Sequence, residues 1–492
     1  MSDNIHRGQS YALYICILVL SVLALALSGS APVVLTCCLM GAAIGVLLLY
    51  QTFIGRHQAR LTAILASGLL IGYCGGCAIT QIFCGLDQSG VTEAGWNTVP
   101  PIWVGFTIKL ALGSSSLLLC AASVEPAIFK KSDRILVTWQ IERLLWIAVS
   151  VLAFGVISGS FGYMGAYTQE GSGRVGVLAE ISNELLMITA PLSIAGVLQS
   201  SGWRRYRFAL IAVFAFIVAI PAGRRDFAYD VIVTIFIASR LSGVRVNLSK
   251  AVKWMWFLTA IMIVAVTGFI FMGLRMASGL LGPGKHSVAE IVGQASRTVA
   301  DNPRDVIITT AENLESRPFL LTQYLSLLTK GGNDVRLPMY GADISQAVKM
   351  DIPDVIYTAI GRSKDPVREV GAEEGVANEH FNLPVFDDAN SILTGGWIDF
   401  GLAGVLLYPL ILCFLWRAIS FAVGEILGAT ARFIVLLVAI NICLQAEIDL
   451  GGYIVSLRDA GIIAGAWALL SLLPRFTASR QIGLSVSVDH DG

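Results

Sequence analysis

The sequence predicts an all-α protein that crosses a membrane many times. Of its 492 residues, 55% are hydrophobic and only 14% are charged, whereas soluble domains contain about 25% charged residues. The mean hydropathy of +0.72 is typical of a chain that uses lipid as its solvent. A soluble globular fold is therefore excluded. Because the formal net charge is zero, the composition gives no support to a nucleic-acid partner.

Apolar runs long enough to cross the hydrocarbon core, which is roughly 30 Å thick, recur along the chain. Backbone polar groups within lipid must be satisfied inside the segment, so each run is predicted to be a helix. We count twelve runs, which extend over residues 11–27, 33–53, 61–83, 102–122, 144–163, 177–198, 208–222, 227–241, 254–273, 397–416, 433–445 and 460–473.

Lysine and arginine residues are distributed unequally between the loops that connect these runs. When loops are counted alternately from the N-terminus, one set carries eighteen of them, whereas the opposite short loops carry only Arg174, Arg224, Arg225 and Arg458. Cytoplasmic loops collect Lys and Arg. The sequence therefore predicts that both termini are cytoplasmic.

One long polar stretch, residues 275–395, follows the ninth run and is predicted to form a large extracytoplasmic loop domain. It separates residues 1–274, with nine helices, from residues 396–492, with three helices and a short cytoplasmic tail. A loop of this length between spans is usually functional. The alternative is a passive cap over the helix bundle.

The large loop itself is predicted to be helical. Amphipathic patterns at residues 288–299 and 306–314 indicate two helices, each closed by a turn that contains Pro303 or Pro318.

Nothing in the sequence predicts a metal ion or a cofactor. The five histidines are too scattered for a ligand set, and the nine cysteines lie in or beside apolar runs, so no disulfide framework is expected in the loop. Cys74 and Cys77 have the spacing of a redox or metal pair, but they lie within an apolar run and indicate close helix packing.

Two outward-facing arginines, Arg224 and Arg225, occupy the turn between the seventh and eighth runs. The seventh run has 15 residues, which corresponds to roughly 22 Å and places this turn below the outer membrane surface. Charges at that depth are costly unless they line a wet cavity or meet a ligand, so the pair indicates an anion site. The alternative is that both side chains extend to lipid head groups. Arg275, at the outer end of the ninth run, is a weaker candidate.

Other polar residues are expected to converge on the same outer side. They are Glu180, Asn183 and Glu184 on one face of the sixth run, Glu379, His380, Asp387 and Asp388 near the end of the large loop, and Glu447, Asp449, Arg458 and Asp459 in the last outer loop. Arginine binds phosphate oxygens in pairs, and a carboxylate or histidine can accept a proton from a hydroxyl. The set therefore suits a substrate with a diphosphate and many hydroxyls.

Two segments resemble bacterial O-antigen and exopolysaccharide repeat-unit polymerases, members of the O-antigen polymerase and ligase superfamily. Residues 389–405, Ala-Asn-Ser-Ile-Leu-Thr-Gly-Gly-Trp-Ile-Asp-Phe-Gly-Leu-Ala-Gly-Val, resemble the stretch that leaves the large periplasmic loop of that family, with Asn390 and a Gly-x-x-Gly at Gly401 and Gly404. Gly223-Arg224-Arg225-Asp226 resembles its arginine element. The arrangement of about twelve helices with one late periplasmic loop is similar over nearly the whole chain.

The resemblance implies inverting glycosyl transfer in the outer leaflet of the bacterial inner membrane. A glycan would move from undecaprenyl diphosphate onto a new lipid-linked repeat unit, and a chain-length regulator protein would be a further partner. Arg224 and Arg225, with Arg275, would hold the diphosphate. His380, Glu379 or Asp388 would orient or deprotonate the acceptor.

Three other classes remain as alternatives. O-antigen ligases belong to the same superfamily, although they usually place His before the Asn, where this chain has Ala389. A flippase or other transporter would also have about twelve helices, but it would not need so large an outer loop. A lipid-phosphosugar glycosyltransferase would show an acidic pair in its first outer loop, whereas residues 28–32 carry no charge.

Overall fold

A computed structural model describes most of the chain, and the described part is helical. It covers residues 2–53, 59–84, 99–129, 137–157, 177–222, 273, 276–277, 280, 288–330, 337–352, 354–364, 377, 380–383 and 390–472. In this part 87% of the residues are helical and none lies in a strand. The all-α class is thus confirmed for the residues described.

The helices follow the apolar and amphipathic segments of the sequence. They are α1 (Ser2–Leu27), α2 (Ala31–Phe53), α3 (Leu61–Leu69), α4 (Gly76–Cys84), α5 (Pro101–Val124), α6 (Trp139–Ile157), α7 (Val177–Gln199), α8 (Gly202–Ala222), α9 (Val288–Asp301), α10 (Pro303–Thr329), α11 (Ala342–Asp351), α12 (Asp354–Ala359), α13 (Ile392–Phe400), α14 (Leu402–Leu427), α15 (Ala429–Leu444) and α16 (Leu450–Leu472). A π-helical turn, Leu70–Gly75, joins α3 to α4.

Six helical segments are long and apolar enough to cross a membrane. They are Ser10–Leu27, Ala31–Thr52, Leu61–Ile82, Pro101–Val124, Leu402–Leu427 and Leu450–Leu472. The protein is therefore a helical membrane protein with six candidate spans among the residues described. The total of twelve is unconfirmed. Two of the predicted runs, residues 227–241 and 254–273, lie outside the described part of the chain except for residue 273. Four others, residues 144–163, 177–198, 208–222 and 433–445, are not among the six candidate spans.

The centre of the bundle is formed by α3, α5 and α15. Every residue of α15 from Phe433 onward is buried, and this helix packs so closely on α3 that a Cβ at Gly68 would lie 2.6 Å from the carbonyl oxygen of Cys443. Cys74 is likewise buried. It packs against α2, since a Cβ at Gly41 would lie 2.7 Å from the Cys74 sulfur. Its surroundings agree with the interpretation of Cys74 as a close-packing residue.

Two sequence predictions about helix boundaries in the C-terminal part are wrong. The tenth run, residues 397–416, is interrupted at Gly401, whose φ of +58° ends α13 before α14 begins. The last run begins ten residues earlier than predicted, at Leu450, so Arg458 and Asp459 lie within α16 and not in a loop.

Two further boundaries differ in the middle of the chain. Helix α10 continues through Pro318, which was predicted to close a helix. Helix α8 begins at Gly202 and has 21 residues, which corresponds to about 31 Å. Its first six residues include Arg204, Arg205 and Arg207, so the helix is longer than the apolar run of residues 208–222. The turn that contains Arg224 lies outside the described residues, and its depth in the membrane stays a prediction.

Candidate functional site

A helix of the large loop is held against the bundle by a buried carboxylate. Asp399, the penultimate residue of α13, is fully buried. The backbone N–H of Asp343 donates to its Oδ1 (2.9 Å), and that of Ile344 donates to its Oδ2 (3.0 Å). The hydroxyl of Tyr408 also donates to Oδ2 (2.8 Å). Asp399 therefore caps the N-terminus of α11, where the helix dipole favours a negative charge.

The position of Asp399 depends on a sharp reversal between α13 and α14. Eight residues of continuous helix would separate Gly396 and Gly404 by about 12 Å, yet a Cβ at Gly396 would lie 2.6 Å from the carbonyl carbon of Gly404. The chain therefore doubles back at Gly401, and only glycine allows the two backbones to approach so closely. This reversal presents the end of α13 to the large loop.

The N-terminus of α13 is fixed by its own capping box. The Ser391 hydroxyl accepts hydrogen bonds from the backbone N–H of Leu393 (3.1 Å) and of Thr394 (3.2 Å), and the Thr394 hydroxyl accepts from the backbone N–H of Ser391 (2.8 Å). A hydrogen bond joins the hydroxyls of Ser391 and Tyr73. The N-terminus of this short buried helix is thus specified by side chains, and its C-terminus by the backbone conformation of Gly401.

An arginine holds the opposite end of α11. In α16, Arg458 donates through Nη1 to the carbonyl oxygen of Asp351 (2.7 Å) and through Nε to Oδ1 of Asp459 (2.7 Å). A cation at a helix C-terminus is favourable for the same reason that an anion is favourable at the N-terminus. Helix α11 is therefore clamped between Asp399 and Arg458, both of which belong to the bundle.

Asp343 is the second carboxyl group at this junction. It is only 2% exposed, and its Oδ2 has no hydrogen-bond partner among the residues that the structure describes. Burial, with smaller contributions from Asp399 and Asp449, raises the pKa of Asp343 to about 8. Among the residues that the structure describes, no His, Cys, Asp and Glu group has an arrangement that could hold a metal ion.

The structure brings together part of the polar set predicted for the outer side. Glu184 is buried, and its Oε1 accepts a hydrogen bond from the Ser456 hydroxyl of α16 (2.9 Å). Ser456 lies one helical turn before Asp459, so α7 and α16 present polar groups to each other. The side chains of Glu180 and Asn183 lie outside the part that the structure describes.

Of the catalytic and diphosphate-binding candidates that the sequence predicts, His380 is the one within the described residues. Its Nε2 lies 2.9 Å from the carbonyl oxygen of Leu337, and its ring packs edge-on against Phe381 at 4.9 Å between centroids. The chain after Leu337 runs along the end of α13. The backbone N–H of Met339 donates to the carbonyl oxygen of Ile398 (2.8 Å), and that of Tyr340 donates to the carbonyl oxygen of Asp399 (2.9 Å). His380 thus belongs to the α11 junction.

The other candidates lie outside the described residues, and their predicted roles stay predictions. They are the catalytic candidates Glu379 and Asp388 and the diphosphate-binding candidates Arg224, Arg225 and Arg275.

The C-terminal half of α10 joins the large loop to the bundle at a second place. Phe319 to Thr329 is an apolar segment that packs against α4, α5 and the π-helical turn. A hydrogen bond joins the hydroxyls of Ser326 and Thr107 (2.8 Å), and the Thr322 hydroxyl donates to the carbonyl oxygen of Tyr73 (3.3 Å). Interhelical hydroxyl bonds of this kind are common in membrane bundles.

The opposite end of the bundle carries ion pairs of a different kind. Glu125 accepts hydrogen bonds from the backbone N–H groups of Leu61 and Thr62 (both 3.2 Å) and pairs with Arg417 at 3.4 Å. Glu142 pairs with Arg204 and Arg207, each at 3.0 Å. Arg417 follows the start of α14 by 15 residues, about 22 Å along the helix, so this basic end is distant from the α11 junction.

The sequence alone does not indicate a functional role for Asp343 or Tyr408. It includes Asp399 only as part of the segment that resembles repeat-unit polymerases. Asp343 stands in the first turn of α11, where acidic residues are frequent for local reasons. The signal that would identify the site is its pairing with Asp399, which is 56 residues away in the chain.

Comparisons with known proteins give no further assignment. No protein-family model matches this chain, and neither the curated proteins nor the solved structures include a match.

Proposed function

We propose that the protein is a polysaccharide polymerase that acts at the periplasmic face of the bacterial inner membrane. It would transfer a glycan from undecaprenyl diphosphate onto a lipid-linked repeat unit. The proposal starts from the resemblance of residues 389–405 and of Gly223-Arg224-Arg225-Asp226 to repeat-unit polymerases.

The structural observation that supports the proposal is the cap that Asp399 provides to α11. The segment that resembles polymerases forms the reversal at Gly401, and this reversal carries the carboxylate that holds the large loop. An enzyme that joins two lipid-linked glycans must keep its loop residues in a fixed position relative to the membrane, because small misplacements of catalytic groups reduce the rate strongly. The cap provides such a fixed position.

In the proposed reaction, the acceptor hydroxyl oxygen forms a bond to the anomeric carbon of the donor sugar. The bond from that carbon to the diphosphate oxygen breaks, and the diphosphate leaves with the electron pair. Arg224 and Arg225, with Arg275, would neutralise the charge that develops on the diphosphate. The hydroxyl proton would pass to His380, Glu379 or Asp388.

The hydrogen bond of His380 defines which ring nitrogen could serve as the base. A carbonyl oxygen only accepts hydrogen bonds, so Nε2 carries the hydrogen that faces Leu337. In the neutral ring the basic nitrogen is then Nδ1. The bond to Leu337 would fix the tautomer, as an orienting partner does for other catalytic histidines.

A transporter is the second candidate, and one observation favours it. The interrupted α13 and α14 pair and the buried carboxyl of Asp343 are of the kind found where proton-coupled transporters bind their ions. A flippase for lipid-linked repeat units would use such a site to couple substrate movement to proton entry.

Deletion of the gene distinguishes these functions through the products that accumulate. A polymerase mutant exports single repeat units and lacks long chains. A ligase mutant keeps polymer attached to undecaprenyl diphosphate, and a flippase mutant retains single units on the cytoplasmic side. Mass spectrometry of lipid-linked intermediates, with separate labelling of periplasmic glycans, identifies which of the three outcomes occurs. Either of the last two would overturn the polymerase proposal.

A further inference from the structure

We propose that Asp343 and Asp399 form a proton-binding site between the large loop and the bundle. Asp343 carries the proton, Asp399 stays ionised, and loss of the proton weakens the docking of α11. This inference goes beyond the proposed function and does not depend on it, because it concerns the attachment of the loop and not the reaction.

The hydrogen bonds of Asp399 identify it as the ionised member of the pair. Its Oδ1 accepts from Asp343 and its Oδ2 accepts from both Ile344 and Tyr408. All three partners are donors, and two of them are backbone N–H groups at a helix N-terminus. Such an environment stabilises a carboxylate.

The surroundings of Asp343 have the opposite character. Only 2% of the residue is exposed, and within the described part of the chain no donor reaches its Oδ2. A buried carboxylate without hydrogen bonds is costly, and a second negative charge beside Asp399 adds repulsion. The proton therefore resides on Asp343, where it removes both penalties.

The helices packed against α11 place no positive charge beside the carboxyl group of Asp343 among the residues that the structure describes. Asp399 on α13 and Tyr408 on α14 face the pair directly. Glu447 and Asp449 precede α16, and Asp449 Oδ1 accepts the backbone N–H of Gly452 (2.7 Å). On α16, Arg458 binds the far end of α11 beside Asp459, about 12 Å from Asp343 along the helix. Lys349 and Asp351 belong to the last turn of α11 itself.

The direction of the pKa shift supports this geometry and defines the pH window. Burial raises the pKa of Asp343 from 3.8 to about 8. Because the docked state binds the proton more tightly, its stabilisation is complete below the ordinary pKa and is lost as pH rises through the raised pKa. If undocking returns the carboxyl to its ordinary pKa, docking weakens about tenfold per pH unit between these values.

Infrared spectroscopy of the purified full-length protein in lipid nanodiscs tests the site directly. Wild-type protein should show a carboxylic acid C=O band that disappears with a midpoint near pH 8, and this band should be absent from Asp343→Asn. A titration near the ordinary value of 3.8, or a band that persists in Asp343→Asn, would overturn the proposal.

Hydrogen exchange of the α11 amides measures the docking. The protection factor of these amides in the wild type should fall about fiftyfold between pH 6 and pH 8. This value is obtained after the wild-type change is divided by the change measured for Asp343→Asn under the same conditions. The asparagine variant keeps the size and neutrality of the protonated acid, so its docking should not depend on pH. Equal pH dependence in both proteins would overturn the proposal. So would protection that follows sodium concentration at constant pH, since the site would then bind a metal cation.

Discussion

The side chain of Asp399 accepts the backbone N–H of Asp343 at 2.9 Å, which joins a buried helix of the bundle to a helix of the large loop. The two residues are both acidic, yet only the backbone of Asp343 takes part in this bond. The contact therefore combines a helix cap, which is favourable, with the proximity of two carboxyl groups, which is unfavourable unless one is neutral.

Replacement of Asp399 by alanine should destabilise the protein by about 2–3 kcal/mol, because two backbone donors and the Tyr408 hydroxyl lose a charged acceptor inside the protein. Tyr408→Phe removes only one of these bonds and should cost about 1 kcal/mol. Thermal unfolding in detergent ranks the variants. Identical melting temperatures for Asp399→Ala and wild type would show that the cap does not hold α11.

Gly404→Ala should prevent folding of the α13 and α14 pair. A Cβ at this position would overlap the carbonyl oxygen of Gly396, and backbone atoms cannot move aside as a flexible side chain can. Gly465→Ala in α16 is the matched control, because a Cβ there meets nothing within 4 Å. Membrane-inserted protein should be strongly reduced only for Gly404→Ala, as measured by quantitative blotting. Equal levels for both variants would contradict the close crossing.

Glu125→Ala should destabilise the other end of the bundle by about 2 kcal/mol, since two backbone donors of α3 are then left without their acceptor. Arg417→Ala should have a smaller effect of less than about 1 kcal/mol, because the arginine side chain is 33% exposed and its ion pair is screened by solvent. Chemical denaturation of the two variants provides the comparison. A larger effect of Arg417→Ala would mean that the ion pair, not the cap, dominates.

His380→Ala should shorten the polysaccharide while leaving the amount of membrane-inserted protein unchanged, because the side chain is partly exposed. Loss of a general base typically lowers the rate about 10²–10⁴-fold. Ile360→Val, at a position 60% exposed in the same loop, is the control. Wild-type chain length in His380→Ala would exclude His380 as the base and leave Glu379 and Asp388.

Much of the helical architecture could be predicted because apolar runs report directly on helices in lipid. The break at Gly401 could not, since residues 397–416 are apolar on both sides of it and periodicity does not reveal a reversal. The sequence does not reveal the start of α16, because Arg458 and Asp459 lower the local hydropathy. In the fold, Arg458 donates to the carboxylate of Asp459 and to the carbonyl oxygen of Asp351 inside the protein. Pro318 was treated as a helix end, whereas α10 continues through it.

The sequence could predict some of the polar residues of the candidate site, but not which of them contact each other. Local spacing places Glu184 on a polar face, and the structure buries Glu184 against Ser456. No local signal connects Asp343 with Asp399 or Arg458 with Asp351, because each pair is brought together only by the fold. Long-range contacts of this kind depend on how helices pack, which a single sequence does not specify.

The most direct test of the proposed function is the double substitution Arg224→Ala with Arg225→Ala, assayed by the length distribution of the polysaccharide in a strain that lacks the wild-type gene. Arg205→Ala, at an exposed position near the start of α8, is the matched control. At equal levels of membrane protein, the account predicts single repeat units and no long chains for the double variant, and normal chains for Arg205→Ala. A wild-type length distribution in the double variant would contradict the diphosphate site and, with it, the proposed mechanism.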